Sequence, residues 1–456
     1  MPKFKHPGVY IQEIPNISTD IMAVPTAIPA FVGYTQTAAR DKDGDLHLTP
    51  TKITSFKEYC QLFGQSEAEP LHLELASASG GITLKQISPV LPRQMLWYAI
   101  RLFFDNGGNE CYVVSTGDYQ KPVSLSALED GVKATATIDD ITLLLTPESV
   151  VLAPADYTQL VNRMLSQCST LADRIALLDL PDGDKVLSAS LLSTNRAYLG
   201  YNHLDFGACY YPFLTTTQPW QSVQHHQHVQ LSIDNGKTTQ LSQIKADDPT
   251  LFKLIYALLS DLFVCLPASV AVAGVMTSVD TSDGVWKAPA NVALTSISSP
   301  MISISDTANN TLNSDTTSGK SINAIREFSG RGIRIWGART LAGNDNEWRY
   351  ISTRRFANMV KESVEKSLSW AVFEPNDANT WARIVSSVNH FLTQLWKQGA
   401  LPSATPDDAF YVHCGLGTTM TANDIHQGVM NIEIGMAVVR PAEFIILQLQ
   451  LHSQQA

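Results

Sequence analysis

Apolar residues fall along this chain in two rhythms, a period of two or less in short runs and a period near 3.6 in longer ones. Val24 to Gly33, Cys111 to Val114, Ile141 to Leu145 and Ile175 to Leu180 are short apolar runs that predict buried strands. Pro25 and Pro29 make the first half of the opening run an edge or entry segment. Ile53 to Leu62, Trp97 to Phe104 and Tyr157 to Leu171 carry helical spacing, and Asn106-Gly107-Gly108 is a stop signal after the second. This alternation predicts an α/β region in the middle of the chain.

The last third is more regular. Over Ile351 to Phe373, helical spacing puts Phe356, Met359, Val360, Val364, Leu368 and Ala371 on one face, and Glu374-Pro375-Asn376-Asp377 ends the run. A second helix turns Trp381, Ile384, Val385, Val388, Phe391, Leu392 and Leu395 inward, with Gly399 where a C-terminal cap falls. Strands are expected at Ala409 to His413 and Val429 to Val439. Both ends of the chain also read as strands. Pro7 to Pro15 is a short extended segment bounded by prolines, and from Ile445 to His452 Ile445, Leu447, Leu449 and Leu451 alternate with Ile446, Gln448, Gln450 and His452. A terminus frays unless something ties it down, so two strand-like ends raise the question of whose sheet they complete.

Composition narrows the class. The 456 residues suffice for two or three domains, and 44% hydrophobic with 16% charged content is that of a soluble globular protein. The formal net charge of −11 argues against nucleic-acid binding. Its distribution is uneven: Lys320 to Lys366 holds ten Lys/Arg against five Asp/Glu. That surplus reads either as an ion-paired face or as a docking face for an acidic partner. The six cysteines are scattered without a CxxC pair, which suits reduced thiols. Met1-Pro2-Lys3 leads into no apolar run of the secretory kind. The most apolar stretch, Leu262 to Met276, is broken by Pro267 and too short to span a bilayer, so no direct membrane insertion is expected.

Polar segments at about 66–94, 115–140, 215–250 and 295–321 read as loop-rich insertions. Fragments that suggest chemistry fail on detail. Gly319-Lys320-Ser321 lacks the earlier glycine of a phosphate-binding loop, where Ser314 stands. Asp41, Asp43 and Asp45 lack the closing acid of a calcium loop, where Lys52 stands, and read as an acidic hairpin tip. His225, His226 and His228 have no second ligand pair nearby. Cys414-Gly415-Leu416-Gly417 is a lone GxG, a weak signal for an anion nest. With no GxSxG and no HExxH, no catalytic residue, metal ligand or cofactor site is assigned.

Several blocks, in order, resemble contractile tail sheath proteins. They are Pro7 to Glu13, Phe103 to Gly108, Gly284 to Asn291, Ile325 to Thr340, Trp348 to Arg355, Phe373 to Asn376, Gly428 to Ile434 and Val439 to Ile445. The resemblance is greatest to sheaths of phage-tail-like extracellular contractile injection systems of the antifeeding-prophage and virulence-cassette type.

The resemblance implies an α+β or α/β multidomain fold. It comprises a linking arm (1–22), a middle and outer α/β region with the insertions (23–322), a tube-proximal α/β domain (323–442) and a linking strand (443–456). In the C-terminal domain, helices are expected to pack on a small sheet completed by the terminal arms. It also implies a structural subunit, not an enzyme, that polymerises in rings and a helical stack around an inner tube and contracts to drive that tube through a target envelope. Baseplate and terminator or cap proteins, and paralogous sheath proteins, are further expected partners. Assembly is expected in the bacterial cytoplasm, followed by release as part of an extracellular tail-like particle or a virion tail. Expected linking residues are Gly8, Val9, Tyr10, Ile11, Glu13, Phe444, Ile445, Leu447, Leu449 and Leu451. Arg349, Arg354, Arg355, Lys361 and Lys366 are the expected tube-facing residues, against the alternative that Arg354 and Arg355 bond the domain's own carboxylates. The competing readings are a non-contracting baseplate or collar component and a soluble α/β enzyme.

Overall fold

The computed structural model describes residues 20–78, 81–234 and 236–443. It forms two compact units, a larger one of residues 25–359 with 439–443 and a smaller one of residues 20–24 with 360–438.

In the larger unit the apolar runs assemble an eight-stranded sheet. In spatial order it runs Gly332–Trp336 (β15), Asn323–Phe328 (β14), Gly207–Tyr211 (β8), Ile175–Asp179 (β7), Leu143–Leu145 (β6), Pro29–Thr35 (β1), Cys111–Asp118 (β5) and Thr51–Ile53 (β2). The six strands from β14 to β5 are parallel, and β15 and β2 close the edges antiparallel. Helices cover both faces, which is why these strands read as nearly continuous apolar runs. Phe31, Val113, Leu143 and Leu177 face the helices Met95–Asp105 (α2) and Ser269–Ser282 (α8). Ala30, Val32, Val114 and Leu178 face Leu125–Thr135 (α3), Pro154–Leu171 (α4) and Ala189–Tyr198 (α5). Each large apolar side chain so enclosed contributes about 1.5–3 kcal/mol.

The polar segments are more ordered than their composition suggests. Residues 66–94 hold a hairpin, Leu71–Ala78 (β3) and Gly81–Ser88 (β4), in which Leu71, Leu73 and Leu75 are buried at alternate positions. It joins Val229–Ile233 (β10) and Thr239–Gln240 (β11), with Leu241–Asp247 (α6) and Pro249–Ser260 (α7) packed on it. Segment 115–140 contains α3. Segment 295–321 contains Ile297–Pro300 (β13) and Asp306–Asn313 (α9), whose cap Ser305 accepts the Ala308 N–H. Leu214–Pro219 (β9) and Phe263–Leu266 (β12) complete a three-stranded sheet with β13. The helix expected from Ile53 begins later, at Phe56–Phe63 (α1), because Ser55 caps it through the Glu58 N–H. β14 and β15 extend the large sheet, and the division between units falls at 359/360, inside the helix Ile351–Ser367 (α10).

The smaller unit is built on the helix Ala378–Lys397 (α11). Asp377 caps its start by accepting the Asn379 and Thr380 N–H groups. Ile384, Val388, Phe391, Leu392 and Leu395 form its buried stripe. Its end is a Schellman turn: Ala400 N–H reaches Leu395 O, Gly399 N–H reaches Trp396 O, and Gly399 takes φ +87°. After Pro406–Ala409 (α12), Phe410–His413 (β16) pairs antiparallel with Glu433–Met436 (β17), shorter than the expected 429–439, and Ala422–His426 (α13) lies between them in sequence.

Candidate assembly site

The basic stretch divides into charges the chain consumes itself and charges it displays. Arg355 on α10 is 4% exposed and holds Asp280 of α8 through two hydrogen bonds of 3.0 and 2.5 Å. Arg354, 9% exposed, donates to Asp205, and its guanidinium lies 3.5 Å from the Trp348 ring centroid and 4.3 Å from that of Phe206. Burial pushes its pKa down and Asp205 opposes that shift. Lys320 is fully enclosed, giving its ammonium to Arg196 O at 2.6 Å and lying 4.1 Å over the Tyr201 ring. Both Arg354 and Arg355 therefore bond the chain's own carboxylates, the alternative weighed against a docking role. Arg349 is half-buried and donates to Asn346 Oδ1 at 3.1 Å. Lys361 is exposed, as is Lys366, which pairs with Glu362 at 2.7 Å.

The smaller unit carries the more open surface. Among the described residues, β16 and β17 form a two-stranded sheet with no further strand on either edge. Such a ribbon is marginal without additional strands or packing. Val412 is buried on the side where α11 packs, while Tyr411 and His413 point outward. The Tyr411 ring lies over Gly435, where a Cβ would come within 2.1 Å of it, and its hydroxyl donates to Glu433 Oε1 at 2.9 Å. Tyr411, Leu416 and Val429 are exposed large apolar residues on or near this ribbon, and Val372 and Phe373 add two more in the same unit. The expected linking residues Gly8, Val9, Tyr10, Ile11, Glu13, Phe444, Ile445, Leu447, Leu449 and Leu451 lie outside the described residues.

One anchor was not legible in the sequence. Arg339 grips Glu443, immediately before the expected terminal strand, through bonds of 2.8 and 2.5 Å, and Glu443 raises the arginine's pKa. Asn323 on β14 fixes Arg339 in turn, accepting its N–H at 2.9 Å and donating to its carbonyl at 2.8 Å. The partners are 104 residues apart, so no local pattern links them.

The sequence fragments that suggested chemistry have structural roles. Asp45 gathers the Arg40, Asp41 and Lys42 N–H groups into a turn, which lowers its pKa. His226 packs edge-on against Phe252 and Tyr256. In the Cys414–Thr419 turn, the Gly415 N–H goes to Thr419 Oγ1 and the Thr418, Thr419 and Met420 N–H groups go to Gly415 O, so these amides are spent internally. No helix among the described residues is long and apolar enough to cross a membrane.

A rigid α/β body with its arginines locked inward, joined in one chain to a small unit with open strand edges and exposed apolar side chains, defines a structural assembly subunit. Residues 343–452 match the family described as phage tail sheath C-terminal domain. No curated protein matches. Among solved structures, the chain is similar to a protein in the contracted sheath complex of the PVC extracellular contractile injection system, at 29% identity over 99% of this chain and 98% of that one, with a TM-score of 0.68. It is also similar to a protein of the contracted helical sheath of the anti-feeding prophage, at 29% identity over 98% and 99%, TM-score 0.67. A chain of the contracted anti-feeding prophage baseplate shares 26% identity over 100% and 99%, TM-score 0.70. Residues 343–452 thus carry a phage tail sheath C-terminal domain, and over its whole length the chain is similar to sheath proteins of extracellular contractile injection systems. It is a contractile sheath subunit, and the family's role is structural.

Proposed function

We propose that copies of this chain stack as rings into a helical sleeve around an inner tube protein, and that contraction of the sleeve drives the tube through a target envelope. The observation that carries the mechanism is the β16–β17 ribbon, which has no further strand on either edge among the described residues and so has room for an incoming strand. Residues of about 7–15 and 443–452, contributed by neighbouring copies, are the proposed additions. An extended segment there gains main-chain hydrogen bonds and buries alternate side chains. Such links keep neighbours joined while the rigid bodies repack, and no nucleotide is required if assembly stores the energy in a metastable extended state. Baseplate and cap proteins are the proposed partners at the two ends of the sleeve. Assembly in the bacterial cytoplasm precedes release as an extracellular particle. Deleting residues 1–15 should leave a folded chain that forms no sleeves by negative-stain microscopy; normal sleeves from that truncation would overturn the arm linkage.

With Arg354 and Arg355 engaged internally, the tube-facing charge is proposed to rest on exposed Lys361, with Lys366 and Arg349 beside it in sequence. Partly exposed ion pairs are weak, and contacts that must release on contraction should be weak. Lys361→Glu should leave folding unchanged and reduce co-assembly with the tube, most visibly at low salt. Tube loading equal to the unaltered chain would remove Lys361 from the interface.

A further inference from the structure

The turn between α10 and α11 holds an aromatic side chain out in water. Phe373 is 102% exposed and Val372 is 64% exposed. Phe373 also sits at φ +70°, a left-handed conformation that bulky L-residues rarely adopt. The turn is braced. Asn376 accepts from Trp381 Nε1 at 2.7 Å and donates to Val429 O at 3.0 Å, while Glu374 N–H reaches Ala371 O at 3.1 Å. Arg383 lies 4.2 Å over the Trp370 ring, and Asp377 caps the helix that follows. Strain and apolar exposure both disfavour the free chain, and a rigid mounting that maintains both is the signature of a partner contact.

The larger unit carries a receptacle. A cavity of about 660 Å³ is lined by Trp286 and Trp336 with the small residues Ala288, Ala290, Gly337 and Ala338. It lies within the roughly 300–1,000 Å³ of sites that accept ligand-sized groups. The small residues leave space beside two indoles, against which a phenyl ring can stack or pack edge-on. Knob and cavity are different surfaces of one chain. Joined across copies they make a heterologous contact that propagates instead of closing, the type that builds a helical array. The knob is also tied by Asn376 to Val429, next to the ribbon proposed to receive the arms.

We propose that in the sleeve Val372–Phe373 of one copy seats in the Trp286–Trp336 cavity of a second copy, as an interlock additional to the strand linkage. The interlock rests on the polymerisation proposed above. Phe373→Ala should fold with an unchanged or higher thermal midpoint, yet raise the concentration needed for sleeve formation about tenfold or more, as loss of a central aromatic anchor does. Phe373→Leu should retain most assembly. The decisive measurement pairs Phe373→Cys with Ala288→Cys, or with Ala338→Cys, in a chain whose half-buried Cys60, Cys265 and Cys414 are serine. Oxidation of assembled sleeves with copper–phenanthroline should give a ladder of covalent multimers, absent from each single-cysteine chain and from unassembled protein. Well-formed sleeves without a ladder, or Phe373→Ala sleeves forming at the unaltered concentration, would overturn the interlock and leave the sheath reading standing. Bare sleeves forming normally from Phe373→Ala while tube loading fails would overturn it too, by assigning the knob to the tube. If the unaltered chain itself formed no sleeves, the polymerisation reading would fall, and the interlock with it.

Discussion

Replacing Arg355 separates an internal brace from an outward contact. Its guanidinium and the Asp280 carboxylate are 4% and 6% exposed as side chains, and they share two hydrogen bonds. Arg355→Ala leaves a carboxylate enclosed without its cation, which costs about 3–5 kcal/mol. Removing both charges while keeping volume, as in Arg355→Met with Asp280→Leu, should return stability to within about 1 kcal/mol of the original, because the desolvation of both ions is relieved together. The cycle formed with the two single variants should therefore show a coupling of at least about 2 kcal/mol. Urea unfolding of the unassembled chain, followed by far-UV circular dichroism, reads these as shifts in midpoint at constant slope. Amide exchange in α8 and α10 localises the loss. Lys361→Ala is the exposed control and should stay within about 0.5 kcal/mol. An Arg355→Ala chain as stable as the original but unable to assemble would refute the reasoning, since the side chain would then act on a partner.

A second test concerns Glu148, which lies against Gly33, where a Cβ would come within 2.2 Å of Oε2. Oε1 receives a long bond of 3.4 Å from the Tyr34 N–H, and burial, outweighing the backbone N–H groups around the carboxylate, pushes the pKa from 4.5 up to about 8. The folded chain thus keeps a proton that the unfolded chain releases near pH 4.5, so stability is full below that pH and falls as pH rises toward 8. At about 1.4 kcal/mol per pH unit the loss reaches about 4–5 kcal/mol. Glu148→Gln should match the original at pH 4 and exceed it by that amount at pH 9 in urea unfolding, and parallel pH profiles would dismiss the assignment. Gly399→Ala meets no atom within 4 Å, so its cost is the left-handed backbone alone, about 1–2 kcal/mol in the same assay.

What the sequence made legible was what short-range pattern encodes. The stripe on α11, its Asp377 cap and its Gly399 stop are all local, and so are the apolar runs of β1, β5 and β7. The hairpin in 66–94 carries no local signature for a physical reason. In β3 the buried leucines alternate with His72, Glu74 and Ala76, and β4 shows no fully buried residue among those whose burial is described, so it displays no period. Helix α9 buries only Leu312 among its eight residues. At the candidate site the limit is different. Trp348 to Arg355 reads as a block of charge and aromatics, but the fates of Arg354 and Arg355 depend on Asp205 and Asp280, 149 and 75 residues away in sequence. Charge content was readable; which charges face outward was not.

The distribution of exposed apolar side chains bears on why this chain should require partners. Val372, Phe373, Tyr411, Leu416 and Val429 are exposed large apolar residues of the smaller unit, a minor part of the chain, while the much larger unit exposes Leu84, Val151, Val186, Tyr201, Leu254 and Tyr256. A free monomer presenting them beside two open strand edges would be an aggregation hazard, and natural proteins blunt such edges with charge, proline or a cover. Lys or Arg is absent from both β16 and β17, and so is proline. The larger unit draws Arg354, Arg355 and Lys320 inside and engages them there with Asp205, Asp280 and the Arg196 carbonyl. One unit is thus closed on its own charges, and the other shows, among the described residues, a strand pair with no neighbour on either edge, the place the proposed linkage would fill. A sleeve that must repack without coming apart needs this combination: bodies stiff enough to slide as units, and joints whose strands are supplied by the neighbours.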